Sequence, residues 1–218
     1  MVTNSLITNI NSTKFLGLII DSTLSWREHI FHLTPKLNKA CHAIRTIKCC
    51  MFPNVLRTVY FSYFHSVMSY RVIFCGNSYI SNNIFKIQKR IIRIIPNKGN
   101  CDSCWNLFKQ LQILTLPSQH IFSLLMFVAK NRDLFSSNNE IHDINTRFNY
   151  NLHVPTTNLT VVQKGVLFSG SKIYNYLPTH IKSLSTDFKQ FNYKLKAFLL
   201  EHSCYSLEKF YQITSTLK

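Results

Sequence analysis

Acidic side chains are scarce in this sequence of 218 residues, which has 9 Asp and Glu against 25 Lys and Arg and a formal net charge of +16. None lies between Glu28 and Asp102. A long block of one charge sign predicts an acidic partner, and nucleic acid is the first such partner to test. The cations of this block are Lys36, Lys39, Arg45, Lys48, Arg57, Arg71, Lys86, Lys89, Arg90, Arg93 and Lys98.

Long hydrophobic runs are also missing. The longest strongly apolar stretches, such as 121–129, are far shorter than the roughly 18–20 residues of a membrane-spanning helix, so we expect no membrane partner. The N-terminal residues have neither the basic nor the apolar region of a secretion signal, so we expect an intracellular protein, nuclear or cytoplasmic. The seven cysteines are odd in number and irregular in spacing, which favours free thiols over a disulfide framework.

Several kinds of catalytic motif are absent. Polymerases and nucleases hold divalent cations mainly with paired carboxylates, and this chain has no Asp-Asp pair. It has no glycine-rich nucleotide loop and no recognisable catalytic triad. We therefore predict no catalytic residue and no cofactor in this chain. Cys101 and Cys104 have the spacing of half a zinc site, with His120 downstream, but without further ligands we favour unlinked thiols and predict no metal site.

The N-terminal region predicts a small β-hairpin. Residues 14–20 form a short apolar run that ends at the turn signal Asp21-Ser22, and we expect this strand to pair with residues 5–10. Gly17 lies inside the predicted strand. It indicates either a bulge, a close approach by another backbone, or an ordinary twist in an edge strand.

Helical periodicity follows. A first helix is expected to begin at Pro35 after a Thr34 cap, with 26–33 as a separate turn. A second is expected over 54–70, with one side formed by Leu56, Val59, Tyr63, Val67 and Tyr70. The aromatic residues of this segment, Tyr60, Tyr63, Phe64 and Tyr70, could stack on bases, but helical spacing favours a place in the core.

The sharpest pattern lies in residues 83–95. An apolar stripe of Ile84, Ile87, Ile91 and Ile94 or Ile95 opposes a cationic stripe, before Pro96 and Gly99 end the helix. Such a helix can pack on a core and present cations to phosphates, although a solvated basic face is the alternative. The cationic stripe consists of Lys86, Lys89, Arg90 and Arg93.

The C-terminal half predicts more helices. They cover 104–111, 120–130, 163–176 and 186–200, with connections at 115–118 and 177–178. Residues 133–158 have little periodicity and predict a long loop.

Several motifs together resemble the reverse transcriptases of non-LTR retrotransposons, especially jockey-type elements, in the region that follows the catalytic palm. The resemblance covers about 14–200, and its first motif is the most specific. In chain order the motifs are Lys14-Phe15-Leu16-Gly17-Leu18-Ile19-Ile20-Asp21, Leu24-Ser25-Trp26, His29-Ile30, Ile87-Gln88-Lys89-Arg90 with Arg93, Leu111-x-Ile113-Leu114-x-Leu116-Pro117, Thr146-Arg147, Tyr174-Asn175-x-Leu177-Pro178, Phe188-Lys189 and Leu195-Lys196.

This resemblance implies a mainly α fold with a primer-grip-like hairpin at 1–25, a basic thumb-like helical bundle at 26–98 and a helical C-terminal region at 99–218. It implies a truncated RNA-directed DNA polymerase that keeps the surface for template and primer but lacks the palm aspartates, whose Mg²⁺ would belong to the missing palm. The expected partner is an RNA–DNA hybrid or another nucleic acid, and another element-encoded protein is a further candidate. The implied nucleic-acid-binding residues are Lys14, Phe15, Leu16, Gly17, Lys86, Lys89, Arg90 and Arg93.

Two other interpretations remain open. The chain could be a helical protein-interaction module whose basic face serves solubility. It could also be a decayed open reading frame of an element. Tyr174 departs from the family, which typically has Trp at this position, and fingers, palm and endonuclease are missing.

The first test follows from the missing carboxylate pair. We expect the purified chain to incorporate no nucleotide on a primed RNA template with Mg²⁺, because two metal ions need carboxylate ligands. A primer-extension assay measures this, with an intact reverse transcriptase as the positive control. Measurable incorporation would show an active site that the sequence analysis missed.

Overall fold

The computed structural model describes residues 10–141 and 151–217. Its fold is mainly helical with one small N-terminal hairpin, which confirms the predicted class. The hairpin pairs β1 (Ser12–Phe15) with β2 (Leu18–Asp21), antiparallel and joined at Leu16-Gly17. The predicted continuous strand over 14–20 is therefore wrong, because the chain reverses within it. Residues 5–9 of the predicted partner strand lie outside the described residues, and Ile10 lies outside the strands.

The first helix is longer than predicted. Helix α1 spans Arg27–Ile47 with Pro35 inside it, so neither the predicted start at Pro35 nor the separate turn before it is correct. Pro35 lies on the exposed side of α1, and a proline inside a helix removes one backbone hydrogen bond. The Thr34 hydroxyl does not cap a helix start but donates to the backbone oxygen of Ile30, 2.7 Å away.

The second predicted helix is divided by a π-helical segment. Helix α2 (Pro53–Val59) continues into π-helical Tyr60–His65 and then into α3 (Ser66–Ser69). The buried line through these three segments has a constant spacing of four, because the wider π turn keeps successive residues in phase. It consists of Leu56, Tyr60, Phe64 and Met68, not of the predicted set that included the exposed Tyr63 and Tyr70.

After the short helix α4 (Val72–Cys75), helix α5 (Ser81–Ile94) packs along α1. Contacts of Arg90 with Cys41 and of Asn97 with Lys48 show that the two helices run in the same direction. The apolar stripe of α5 is buried against the core, as predicted.

The C-terminal half contains eight helices in its described part. Thr115 caps the second of them through a hydrogen bond from the Ser118 backbone N–H, so the predicted connection at 115–118 is in fact a helix start. Gly165 separates two helices where one was predicted, and the predicted loop at 133–158 contains a short helix. The helices α6 to α13 are Trp105–Gln110, Leu116–Lys130, Asn138–Ile141, Thr160–Gln163, Val166–Tyr176, Thr179–Lys182, Phe188–His202 and Leu207–Thr216, with 3₁₀ turns at Arg132–Leu134 and Ser183–Thr186.

Two clusters of buried side chains form the core. The first runs from Ile30 to Leu116 and includes residues of α6, so it extends past residue 98. The second runs from Leu114 to Phe210. The two clusters meet near Gln88, whose fully buried amide donates to the Tyr60 hydroxyl and to the Leu114 backbone oxygen at 2.9 and 2.8 Å. Its oxygen accepts from the Leu116 backbone N–H at 2.8 Å.

Replacing Gln88 by leucine tests this junction. Gln88→Leu leaves the buried Leu116 N–H and the Leu114 carbonyl oxygen without partners, so we expect the free energy of unfolding to fall by about 2–4 kcal/mol. Urea denaturation followed by circular dichroism measures the loss. Gln110→Leu, on the exposed surface of α6, is the matched control, expected to change stability by less than about 0.5 kcal/mol. Equal losses in the two variants would contradict the role of Gln88.

Candidate nucleic-acid interface

The four predicted binding residues at the N-terminus lie at the tip of the hairpin. Lys14 and Phe15 end β1, and both are exposed. Leu16 and Gly17 form the turn, with φ of 46° and 81°, and positive values at both central residues are typical of a two-residue type I′ hairpin. Gly17 is thus required by its backbone conformation in a turn, and the predicted bulge or strand twist is wrong.

Tyr70 holds the hairpin tip from the helical side. Its hydroxyl donates to the Leu16 backbone oxygen at 2.8 Å. Its ring lies in ordinary van der Waals contact with the position that a Cβ on Gly17 would occupy, 3.5 Å away. Among the described residues, the nearest neighbour of Gly17 is therefore a side chain and not the other backbone that was predicted.

Asp21 joins the hairpin to the start of α1. Its carboxylate accepts hydrogen bonds from the hydroxyl of Thr23, from the hydroxyl and backbone N–H of Ser25, and from the Trp26 backbone N–H at 3.0 Å. Burial by itself raises the pKa of Asp21, but these four hydrogen bonds outweigh it and hold the pKa well below its usual range. The motif residues Asp21, Ser25 and Trp26 thus have a structural role in this chain.

The four cations of α5 share one face of that helix, opposite its buried stripe, as the sequence predicts. Lys86 and Arg90 are exposed. Lys89 lies 4.7 Å from the centroid of the Phe85 ring, and the Arg93 side chain donates to the Asp102 backbone oxygen at 2.8 Å. Arg90 also contacts the Cys41 side chain, so Lys86 is the cation of this face that is freest to meet an incoming phosphate.

Helix α1 contributes cations that were not assigned to the site. Burial raises the pKa of the Cys41 thiol, and Arg90 and Arg45 beside it oppose that rise. Both guanidinium groups therefore lie near Cys41, and Lys48 follows one turn after Arg45 with its amine on the Asn97 side-chain oxygen. The charge count suggested these residues, but only the parallel packing of α1 on α5 brings them to the cationic face.

The hairpin and the cationic face of α5, which carry the two groups of predicted binding residues, contact different parts of α1. Ile19 of the hairpin contacts His29, whereas Arg90 of α5 contacts Cys41, which lies about 18 Å farther along the axis of α1 at 1.5 Å per residue. The structure thus brings together the members of each group, and the elements that carry the two groups contact α1 at different residues.

The aromatic residues of the basic block divide between core and surface. Tyr60 and Phe64 are fully buried, which agrees with the core interpretation. Tyr63 is 41% exposed, and the exposed Tyr70 is engaged by the hairpin. Tyr79, at 92% exposed, is a base-stacking candidate that the helical pattern did not single out, because it lies between helices.

The half zinc site stays incomplete. Cys101 is exposed, whereas Cys104 is buried with its thiol directed at the Lys89 backbone oxygen. His120 is buried elsewhere, 2.9 Å from the Val72 backbone oxygen. Across residues 10–141 and 151–217, no group of three or more His, Cys, Asp or Glu could hold a metal ion.

No family model, no curated protein and no solved structure matches this chain. Within the described ranges, no helix is long and apolar enough to cross a membrane. The motif Thr146-Arg147 lies outside the described residues.

The carboxylate of Asp21 gives a testable pH dependence. Because its folded pKa is depressed, its contribution is present above the unfolded value of about 4 and is lost as the pH falls further. We expect Asp21→Asn to lower the free energy of unfolding by about 1 kcal/mol at neutral pH, the usual cost of a lost cap at a solvent-accessible site. The difference from the unmodified protein shrinks at about pH 3.

Urea denaturation at both pH values measures this difference. Asp133→Asn, at an exposed position, is the control and is expected to leave stability unchanged. A difference between Asp21→Asn and the unmodified protein that does not depend on pH would contradict the assignment to the carboxylate.

Proposed function

We propose that this chain is the C-terminal part of a non-LTR retrotransposon reverse transcriptase, a fragment that binds a template–primer duplex without a polymerase centre. The main support is the cationic face of α5, on which four cations oppose a buried stripe, within a block that has no acidic residue between Glu28 and Asp102. The second support is that the sequence motifs of the resemblance follow one another along this chain in the same order as in non-LTR reverse transcriptases.

The binding would be dominated by phosphate contacts. Lysine and arginine side chains that neutralise phosphates release counterions, which makes such binding salt-dependent and tolerant of sequence. A duplex carries one charge per about 1.7 Å of axis, so one duplex can meet cations at several places on a protein surface. A single RNA–DNA hybrid could therefore contact both the hairpin tip and α5.

The salt dependence of binding tests this proposal. If four phosphates meet the cations of α5, log K for a labelled RNA–DNA hybrid should fall with log salt at a slope near −3.6. We expect Lys86→Gln and Arg90→Gln each to reduce the magnitude of that slope by about 0.9. Arg93→Ala should reduce it by about one as well, and it also removes the hydrogen bond to Asp102.

Fluorescence anisotropy across a salt series measures these slopes for the hybrid, for duplex DNA and for single-stranded RNA. Lys194→Gln, an exposed cation of α12, is the matched control and should leave the slope unchanged. A preference for the hybrid supports the reverse-transcriptase assignment. Absence of binding at low salt, or slopes that do not respond to Lys86 and Arg90, would contradict it.

A second candidate function is a protein-interaction module. It is favoured by an apolar groove of about 770 Å³ between Trp26, Phe74 and Tyr79 on one side and α9 with the start of α10 on the other. Exposed apolar grooves of this size are typical of binding sites. A chain that binds no nucleic acid at low salt would favour this candidate.

A further inference from the structure

A second groove of about 660 Å³ lies between the hairpin, the first half of α1 and the end of α3. Its volume is in the range of small-molecule sites. Its walls combine apolar surface from Ile19, Leu33 and Val67 with the polar side chains of Lys14, His29 and Lys36. The groove is therefore shaped to hold a small ligand that has a polar end.

The pairing of the two hairpin strands determines which ring nitrogen of neutral His29 carries the proton. In an antiparallel hairpin, pairs of facing residues alternate between hydrogen-bonded and non-hydrogen-bonded. Phe15 and Leu18, next to the turn, form a hydrogen-bonded pair. In the next pair, Lys14 and Ile19, the backbone N–H and C=O groups therefore point away from the partner strand. The Ile19 N–H accordingly approaches His29 Nδ1 at 3.5 Å, the long end of the hydrogen-bond range. Because Nδ1 accepts, the neutral ring carries its proton on Nε2.

This Nε2 donor has no acceptor among the described residues. His29 is only 5% exposed, and its Nε2 is buried without a hydrogen-bond partner from residues 10–141 or 151–217. Buried polar groups in folded proteins are nearly always paired, so an unpaired buried donor in the wall of a groove points to a missing acceptor.

The surroundings of His29 are mostly cationic. Burial lowers the pKa of its imidazole, and the nearby His32, Lys36 and Arg71 lower it further. Arg71 Nε is a second buried donor that has no hydrogen-bond partner in the described part of the chain. Neither Lys14 nor Lys36 forms an ion pair with any residue in the described ranges, and Glu28 is the one acidic side chain that lines the groove.

We propose that this groove is an anion site that takes a phosphate group, with His29 Nε2 as the buried donor and Lys14 and Lys36 as the charged donors at its rim. Charge-assisted hydrogen bonds from such groups suit a tetrahedral oxyanion. The apolar walls leave room for an organic group attached to the phosphate. This assignment does not rest on the cations of α5 and holds whether or not the chain binds a hybrid.

Inorganic phosphate is the probe for the first experiment. Histidine side-chain ¹H–¹⁵N spectra of the full chain should show His29 as the Nε2–H tautomer and a rise of its pKa on titration with phosphate, because a bound anion stabilises the imidazolium. The affinity should be about five- to tenfold weaker in Lys14→Gln and in Lys36→Gln, each of which loses a charge-assisted contact.

The matched control is Lys39→Gln, an exposed cation of the same helix that does not line the groove, for which the affinity should be unchanged. The two lysine variants change exposed side chains and keep the core intact. An unperturbed His29 at saturating phosphate, or equal weakening in all three variants, would overturn the proposal.

A competition experiment identifies the source of the phosphate. Displacement of inorganic phosphate by a short oligonucleotide with a 5′-phosphate, but not by the same oligonucleotide with a 5′-hydroxyl, assigns a terminal phosphate. Displacement by both assigns an internal phosphodiester, and displacement by neither assigns free phosphate. Loss of hybrid binding in Arg90→Gln with phosphate binding retained would separate this site from the cationic face of α5.

Discussion

The arrangement of the helices depends on the buried amide of Gln88. It joins α5 to the π-helical segment through Tyr60 and to the start of α7 through Leu114 and Leu116. A buried amide with three satisfied hydrogen bonds specifies one geometry, whereas apolar contacts alone tolerate several. Lys86 and Arg90 lie on the opposite face of the same helix, so burial of Gln88 and its apolar neighbours leaves these cations facing outward.

The sequence predicted the presence of helices and strands better than it predicted where each one begins and which elements contact each other. The stripe of α5 was correct because buried and exposed positions alternate at an unbroken helical period. The turn at Leu16-Gly17 was missed because Leu in a left-handed conformation has no sequence signal of the Asn-Gly kind. Pro35 was taken as a helix start because a sequence does not show that its side of the helix faces water. The contact of Tyr70 with the hairpin links distant residues, which local periodicity does not reveal.

Several residues that carry the resemblance make structural contacts in this chain. Asp21 accepts from the Trp26 backbone N–H just before α1, His29 accepts from the hairpin, and Gln88 connects the two core clusters. The side-chain oxygen of Asn175 accepts from the Leu152 backbone N–H, and the side-chain NH₂ of Asn175 donates to the Leu152 backbone oxygen. These motifs therefore describe how the chain folds, and the cationic side chains between them carry the argument for nucleic acid. The sequence was enough to predict which charged residues belong to the candidate site. It could not predict that the hairpin and α5 contact different residues of α1, because this depends on how the elements pack.

The π-helical segment has a consequence for how this chain can vary. Its wider turn keeps Tyr60 and Phe64 in the same buried line as Leu56 and Met68. A π turn contains about one residue more than the α turn it replaces, so removing one residue from this segment leaves an ordinary α-helix whose flanking turns stay in phase. Tyr70 then keeps its place beside the Leu16 carbonyl oxygen, and the hairpin tip keeps its support. The segment Tyr60–His65 is therefore the part of this helix that best accommodates the loss of one residue.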